Sequence, residues 1–334
     1  MKHILSASQF SREEILSLFA TADRLKQERR DHGVLDYLRG KLVYLLFYEP
    51  STRTRTSFGL AARYLGGRTD FTEAAGIFSS AAKGETLEDT IRVLESYEID
   101  AIVIRHKERG AAEAAARVAG IPIINAGDGD GEHPTQALLD LYTIWGSGLG
   151  ARSSGNFPSQ ATSSEPPAPI VVAMGGDLKH GRTVRSLCRL IIKFASPDAK
   201  FRLAFCSPPE LAMRDDVLDE LRAAGIPFSV TDDLASTLPA CDVFYQTRVQ
   251  RERFADALLG DAAFLEVQTR FALNAANVAT MKPDAIILHP LPRVGEIAPE
   301  VDADPRAKYF PEQTRNGLYI RMALLLTILR PDAI

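Results

Sequence analysis

Cysteine, tryptophan and long apolar runs are all scarce in this chain: 334 residues contain three cysteines and one tryptophan. Cys188, Cys206 and Cys241 are odd in number, far apart and form no Cys-x-x-Cys pair. That spacing argues against a disulfide framework and a cysteine zinc site, and it leaves three buried thiols in a reducing compartment. The six histidines form no His-x-x-x-His pair and meet no acidic ligand cluster, so no metal is expected. No segment approaches the roughly 20 apolar residues that span a bilayer, and Met1 to Ala7 lacks the apolar stretch of a signal peptide. A cytoplasmic protein with no membrane partner is expected. The net charge of -4 offers nucleic acid no general attraction, so any anion site must be built locally.

What is present is ordinary globular material, 46% hydrophobic and 25% charged, in a chain longer than a single core usually supports. Two domains are therefore expected. Short apolar runs alternate with longer helical patterns, the mark of a parallel sheet covered by helices, so the fold class is α/β with doubly wound domains. The strand candidates are Leu42 to Tyr48, Ala101 to Arg105 and Ile121 to Asn125, then Ile170 to Met174, Phe201 to Cys206, Val243 to Gln246 and Ile286 to His289. Open α/β sheets bind ligands at the carboxyl ends of their strands. Gln136 to Trp145 carries apolar residues at helical spacing and is expected to lead the chain from one domain to the other, and Leu318 to Leu329 reads as a last helix. The Ser-, Gly- and Pro-rich stretch from Gly146 to Pro169 is expected to form a mobile surface loop.

The strongest local signal is the segment Tyr48-Glu49-Pro50-Ser51-Thr52-Arg53-Thr54-Arg55, where a buried-looking strand breaks at proline and a helical pattern begins. Free N–H groups at a helix start, hydroxyls and arginine forks together suit a phosphate. The bland alternative is a capped helix with a solvated basic face. The segment is not a P-loop, because the spaced glycines and the Gly-Lys-Ser/Thr ending are missing. Arg105 ends a second strand. Asn125 to Gln136 reads as a flexible glycine-rich loop ending at a helix start, with His133 and Gln136 on neighbouring positions of the first turn. A histidine there can donate to a carbonyl oxygen and a glutamine can hold an amide; a merely capping histidine is the alternative.

In the second half, Met174 to Arg182 follows a strand, yet the full Gly-x-Gly-x-x-Gly spacing is missing and no nicotinamide cofactor is expected. Gln246-Thr247-Arg248-Val249-Gln250-Arg251-Glu252-Arg253 again places arginines after a strand. His289-Pro290-Leu291-Pro292-Arg293 is a strand end whose prolines enforce a rigid turn and allow a cis bond.

In order along the chain, Ser51-Thr52-Arg53-Thr54-Arg55, His133-Pro134-Thr135-Gln136, Asp177 to Thr183, Thr247-Arg248-Val249-Gln250 and His289-Pro290-Leu291-Pro292-Arg293 resemble the motifs of aspartate carbamoyltransferases. The resemblance covers nearly the whole chain. Its first two motifs are similar to those of all carbamoyltransferases and imply carbamoyl phosphate. The later ones imply the acceptor, since ornithine enzymes carry an Asp and a Ser-Met-Gly segment, then His-Cys-Leu-Pro, at the matching places. Arginine suits a dicarboxylate and repels a cationic amine.

The resemblance implies a carbamoyl-phosphate domain over residues 1–140, completed by a C-terminal helix at about 315–334, and an aspartate domain over 141–314, joined by interdomain helices. It implies that Ser51, Thr52, Arg53, Thr54 and Arg105 hold the phosphate, and that Thr54, Arg105 and His133 polarise the carbonyl. Gln136 and the backbone carbonyls of Leu291 and Pro292 would meet the amide. Arg182 would take the α-carboxylate of L-aspartate and Arg248 its β-carboxylate, with Gln250 nearby. Ser79 and Lys83 match a mobile loop that reaches the site of an adjacent subunit, so a homotrimer with shared sites is implied. Glu49 matches a residue that pairs with Arg182 and Arg253 on domain closure. No cofactor is implied, and regulatory chains or partner enzymes of pyrimidine synthesis are possible companions. Two departures stand out: the 146–169 stretch is longer than the usual connection, and Ala81-Ala82 replaces residues that are commonly Gly or Lys.

Three rival readings have distinct marks. A carbamoyltransferase for another amine would differ in substrate preference, and a non-catalytic relative would have lost a catalytic residue, of which none is missing. A nicotinamide enzyme would carry the dinucleotide fingerprint.

Overall fold

The computed structural model describes residues 2–75, 84–149, 168–249 and 260–334, with backbone alone for 260–263. Ser79, Lys83, Gln250, Arg253 and residues 150–167 lie outside the described residues. The chain divides into two compact units, Met1–Tyr142 with Arg315–Ile334, and Thr143–Thr314. The first boundary falls inside the helix Pro134–Ile144 and the second at the start of Thr314–Leu329.

The first unit opens with helix α1 (Arg12–His32), started by a reciprocal Ser11–Glu14 capping box. Strand β1 (Leu42–Phe47) leads to α2 (Thr52–Tyr64) and β2 (Arg68–Glu73). Then come α3 (Leu87–Ser96), β3 (Ala101–His106), α4 (Ala111–Val118), β4 (Ile123–Asp128) and α5 (Pro134–Ile144). The strands are parallel in the order β2-β1-β3-β4. Every residue of β4 is buried, as expected of a sheet covered on both faces. Leu46, Ile91, Leu94, Ile102, Ile104 and Ile123 close one core cluster over α3 and α4. From β1 the chain steps outward to β2 and then returns across β1 to β3, so the switch point lies between β1 and β3, where Phe47 pairs with Arg105.

The second unit runs β5 (Ile170–Gly175), α6 (Arg182–Phe194), β6 (Phe201–Cys206), α7 (Asp215–Ala223), β7 (Phe228–Thr231), α8 (Leu234–Ala240) and β8 (Val243–Gln246). It continues through α9 (Gly260–Arg270), the short α10 (Ala275–Val278) and β9 (Ile286–Leu288). This sheet is also parallel, in the order β7-β6-β5-β8-β9. Its switch point lies between β5 and β8, where Gly175 pairs with Gln246.

The segment expected as a glycine-rich loop is strand as far as Asp128, a correction with a clear cause. The Asp128 carboxylate accepts from the N–H of Gly110 at 2.8 Å, the N–H of Glu132 at 2.7 Å and Asn125 Nδ2 at 3.2 Å, pinning the turn. Gly129 (φ +48°) lies so close to Lys107 that an added Cβ would stand 2.5 Å from its carbonyl oxygen, so only glycine fits. The three cysteines are free and buried; burial pushes the Cys206 thiol up to about 11 and the Cys241 thiol up to about 12. Among the described residues no helix is long and apolar enough to cross a membrane.

Candidate active site

In the first unit the loops after β1, β3 and β4 leave adjacent strands at the same edge of the sheet. After β1, Pro50 ends the strand and α2 begins at Thr52. Ser51 occupies the N-cap with an extended backbone but makes no capping bond; its Oγ donates to Thr54 Oγ1 at 3.1 Å. The first-turn N–H groups of α2 therefore lack the side-chain acceptor that usually occupies this place, and the positive end of the helix dipole faces the sheet edge. Thr52 and Arg53 are exposed and Thr54 is buried. Arg55 turns away instead: its Nε is 3.2 Å from Glu73 Oε2 and its guanidinium lies 4.4 Å from the centre of the Phe71 ring.

Arg105 ends β3. Its Nη1 donates to the Ala126 carbonyl at 3.2 Å and its Nη2 lies 3.0 Å from Glu49 Oε2. His133 is buried just before α5, and its carbonyl accepts from the N–H groups of Gln136 (3.0 Å) and Ala137 (3.1 Å). The imidazole Nδ1 stands 3.5 Å from Thr135 Oγ1. Gln136 Nε2 donates to Asp140 Oδ1 at 2.9 Å. A helix start, an arginine, a buried histidine and an oriented amide thus follow three neighbouring strands. That set can hold an anion and polarise a carbonyl.

In the second unit the loops after β5, β8 and β9 likewise leave adjacent strands. Gly176 (φ +99°) is required by close approach: an added Cβ would meet the Thr247 carbonyl oxygen at 2.4 Å. Thr247 binds across the switch point, its N–H and its Oγ1 each donating to the Gly175 carbonyl at 2.8 Å. The next residue, Arg248, is half-buried. Arg182 is the first residue of α6 and follows the uncapped Gly181, so a second helix start with a guanidinium stands beside β5. Between them, Asp177 accepts from the His180 N–H at 3.0 Å and lies 3.1 Å from its Nδ1.

After β9, Leu291 adopts φ +58° and the Leu291–Pro292 bond is cis. His289 organises this turn. Its Nδ1 accepts the Leu291 N–H at 2.7 Å, which leaves its Nε2–H to donate to Glu296 Oε1 at 2.7 Å, and its own N–H donates to Gln313 Oε1 at 3.0 Å. Glu296 Oε2 accepts the Val294 N–H at 2.7 Å. Arg293 pairs with Asp302, which also accepts from Tyr309 Oη at 2.6 Å.

Sequence reasoning passed over Asp140, Glu296, Gln313 and Arg321, which lie behind the expected ligands rather than among them. Asp140, four residues after Gln136 on one helix, had a usable signal in its spacing. Glu296 lies three residues beyond the His289–Arg293 motif without belonging to it, and Gln313 and Arg321 come from distant segments with no motif. No group of three or more His, Cys, Asp or Glu among the described residues is arranged to hold a metal ion.

Two parallel α/β units, one offering a helix start and arginine at its switch point and the other two arginines at its own, define a two-domain enzyme class for small anionic substrates. Residues 2–146 match the profile of the aspartate/ornithine carbamoyltransferase carbamoyl-P binding domain, and residues 169–328 match that of the Asp/Orn binding domain. The chain belongs to the aspartate/ornithine carbamoyltransferase family. It is 47% identical over 330 residues to the chloroplastic aspartate carbamoyltransferase of Arabidopsis thaliana, covering 98% of this chain and 78% of the plant protein. The aspartate carbamoyltransferase catalytic subunit of Chromobacterium violaceum is 45% identical, with 98% of each chain covered. Among solved structures, aspartate transcarbamoylase from Trypanosoma cruzi in complex with carbamoyl phosphate and aspartate superposes with a TM-score of 0.84 at 40% identity, covering 98% of this chain and 95% of that one. The catalytic subunit of the M. jannaschii enzyme gives 0.84 at 39% identity, covering 100% and 99%.

Proposed function

We propose that this chain catalyses transfer of the carbamoyl group from carbamoyl phosphate to the α-amine of L-aspartate, releasing N-carbamoyl-L-aspartate and phosphate in pyrimidine synthesis. The observation that carries the reading is likeness over 98% of the chain to an enzyme solved with both substrates bound. Ser51, Thr52, Arg53, Thr54 and Arg105 hold the phosphate, joined by Ser79 and Lys83. Thr54, Arg105 and His133 polarise the carbamoyl carbonyl, while Gln136 and the carbonyls of Leu291 and Pro292 take its amide. Arg182 and Arg248 take the two carboxylates of aspartate, with Gln250 beside them.

Carbamoyl phosphate is already activated, so the enzyme mainly orients the amine and stabilises the tetrahedral oxyanion. The unprotonated amine forms a C–N bond to the carbamoyl carbon. The oxyanion is held by the His133, Arg105 and Thr54 donors until the C–O bond to phosphate breaks, and the departing phosphate takes the amine proton. The working unit is a cytoplasmic homotrimer in which Ser79 and Lys83 serve a neighbouring site. Carbon-13-labelled carbamoyl phosphate and aspartate, incubated with the purified protein, should yield labelled N-carbamoyl-L-aspartate in mass spectra. Recovery of label only in the breakdown products of carbamoyl phosphate would overturn the reading.

A further inference from the structure

Gln136 and Asp140 stand four residues apart on α5, one above the other on the same face. The 2.9 Å bond from Gln136 Nε2 to Asp140 Oδ1 is the one side-chain hydrogen bond of Gln136 among the described residues. Both residues are buried, Asp140 completely. An ionised carboxylate can only accept, so it binds the NH₂ end of the amide and turns the carbonyl oxygen away from itself. Without such a partner, the two ends of a glutamine amide are nearly interchangeable. The orientation of Gln136 is therefore a consequence of the charge on Asp140.

A buried carboxylate keeps that charge only with cations or hydrogen-bond donors around it. Arg321, buried in the C-terminal helix, is one such cation acting on Asp140. Burial pulls the guanidinium down to about 10, against the raising influence of Asp140, which leaves it a cation at neutral pH. The same guanidinium lies 5.2 Å from the centre of the Phe58 ring on α2, the helix that follows Ser51.

We infer that Asp140 and Arg321 are positioning residues for acyl selectivity: ionised Asp140 fixes Gln136 with its carbonyl oxygen free to accept, so the site favours a carbamoyl NH₂ over an acyl group without an N–H. The inference rests on the assignment of Gln136 to the carbamoyl amide above. A site built to hydrogen-bond a donor rejects the analogue that lacks it, because its acceptor is then left unpaired.

Acetyl phosphate, with a methyl group in place of the amino group, is the matching probe. Dissociation constants of carbamoyl phosphate and acetyl phosphate are compared on the purified full chain and on the Asp140→Asn, Arg321→Gln and Arg321→Lys variants. In Asp140→Asn the new amide both donates and accepts, so Gln136 loses its preferred orientation. Carbamoyl phosphate should weaken by about ten-fold, the upper size of one net hydrogen bond, while acetyl phosphate stays within about two-fold. Arg321→Gln should shift the ratio the same way, and Arg321→Lys should keep it. Equal weakening of both ligands would mark Asp140 as a packing residue and overturn the inference. Should the charge-removing variants not fold, the wild-type protein still decides: its Gln136 side-chain amide protons should exchange slowly, and free exchange overturns the inference. A wild-type protein that makes no carbamoyl aspartate contradicts the functional reading instead, whereas full turnover with an unchanged ligand ratio in Asp140→Asn contradicts this inference alone.

Discussion

Arg105 Nη2 and Glu49 Oε2 lie 3.0 Å apart at the carboxyl ends of β3 and β1, while the other arm of the guanidinium donates to Ala126. In the proposed site, an arriving phosphate must share Arg105 with Glu49 or displace it. Glu49→Gln should therefore tighten phosphate binding by about two- to five-fold, the range of a partly exposed ion pair. Turnover should fall in the same variant if, as the family resemblance implies, Glu49 also pairs with Arg182 and Arg253 on domain closure. Calorimetric titration with phosphate beside a turnover assay checks both signs, and weaker phosphate binding would contradict the competition.

His133 is buried at the start of α5 and is assigned to the oxyanion. His133→Ala should lower kcat by about 10²–10³ while leaving carbamoyl phosphate affinity within a few-fold, the pattern of a donor used in the transition state. Steady-state kinetics that show unchanged kcat would remove that role.

The turn after β9 hangs on the buried His289–Glu296 pair. Burial pushes the Glu296 carboxyl up, but the hydrogen bond from His289 and the N–H of Val294 outweigh it, and the group sits below its ordinary 4.5. Glu296→Ala strands the His289 Nε2–H and should cost about 1–3 kcal/mol at neutral pH. A carboxyl depressed in the folded state contributes fully above its unfolded value and loses that contribution as pH falls through the depressed one. Urea midpoints of wild type and variant should be furthest apart near neutrality and converge in acid. A gap independent of pH would contradict the ionised state of Glu296.

If Ser79 and Lys83 serve a neighbour, an Arg53→Ala chain and a Lys83→Ala chain are each inactive alone but complement each other. Mixed trimers should contain some sites with both wild-type residues and should regain part of the activity. The check is turnover after subunit exchange verified by mass; silence from fully exchanged hybrids would count against shared sites.

β1, β3, β5, β8 and β9 were legible because each opens on an unbroken apolar run. β2 and β7 were not. Arg68–Glu73 is an edge strand of mostly polar residues with Phe71 exposed, and Phe228–Thr231 leaves Val230 exposed, so neither shows the apolar run that marked the others. β4 begins at Ile123 rather than Ile121, since Pro122 lacks an N–H and enters the ladder only through its carbonyl, which accepts from Ile102. The helix start at Ser51 was legible because strand end, proline and hydroxyls are contiguous. The orienting role of Asp140 was not: it depends on Arg321, a residue inside an apolar helix far along the chain that meets α5 only through tertiary packing.

The acceptor is the centre of the account, and the rate of ureido-product formation with aspartate against ornithine tests it most directly. With saturating carbamoyl phosphate, kcat/KM for L-aspartate should exceed that for L-ornithine by about a thousand-fold or more, since the proposed site presents the Arg182 and Arg248 guanidinium groups to the acceptor. Comparable values, or a preference for ornithine, would contradict it.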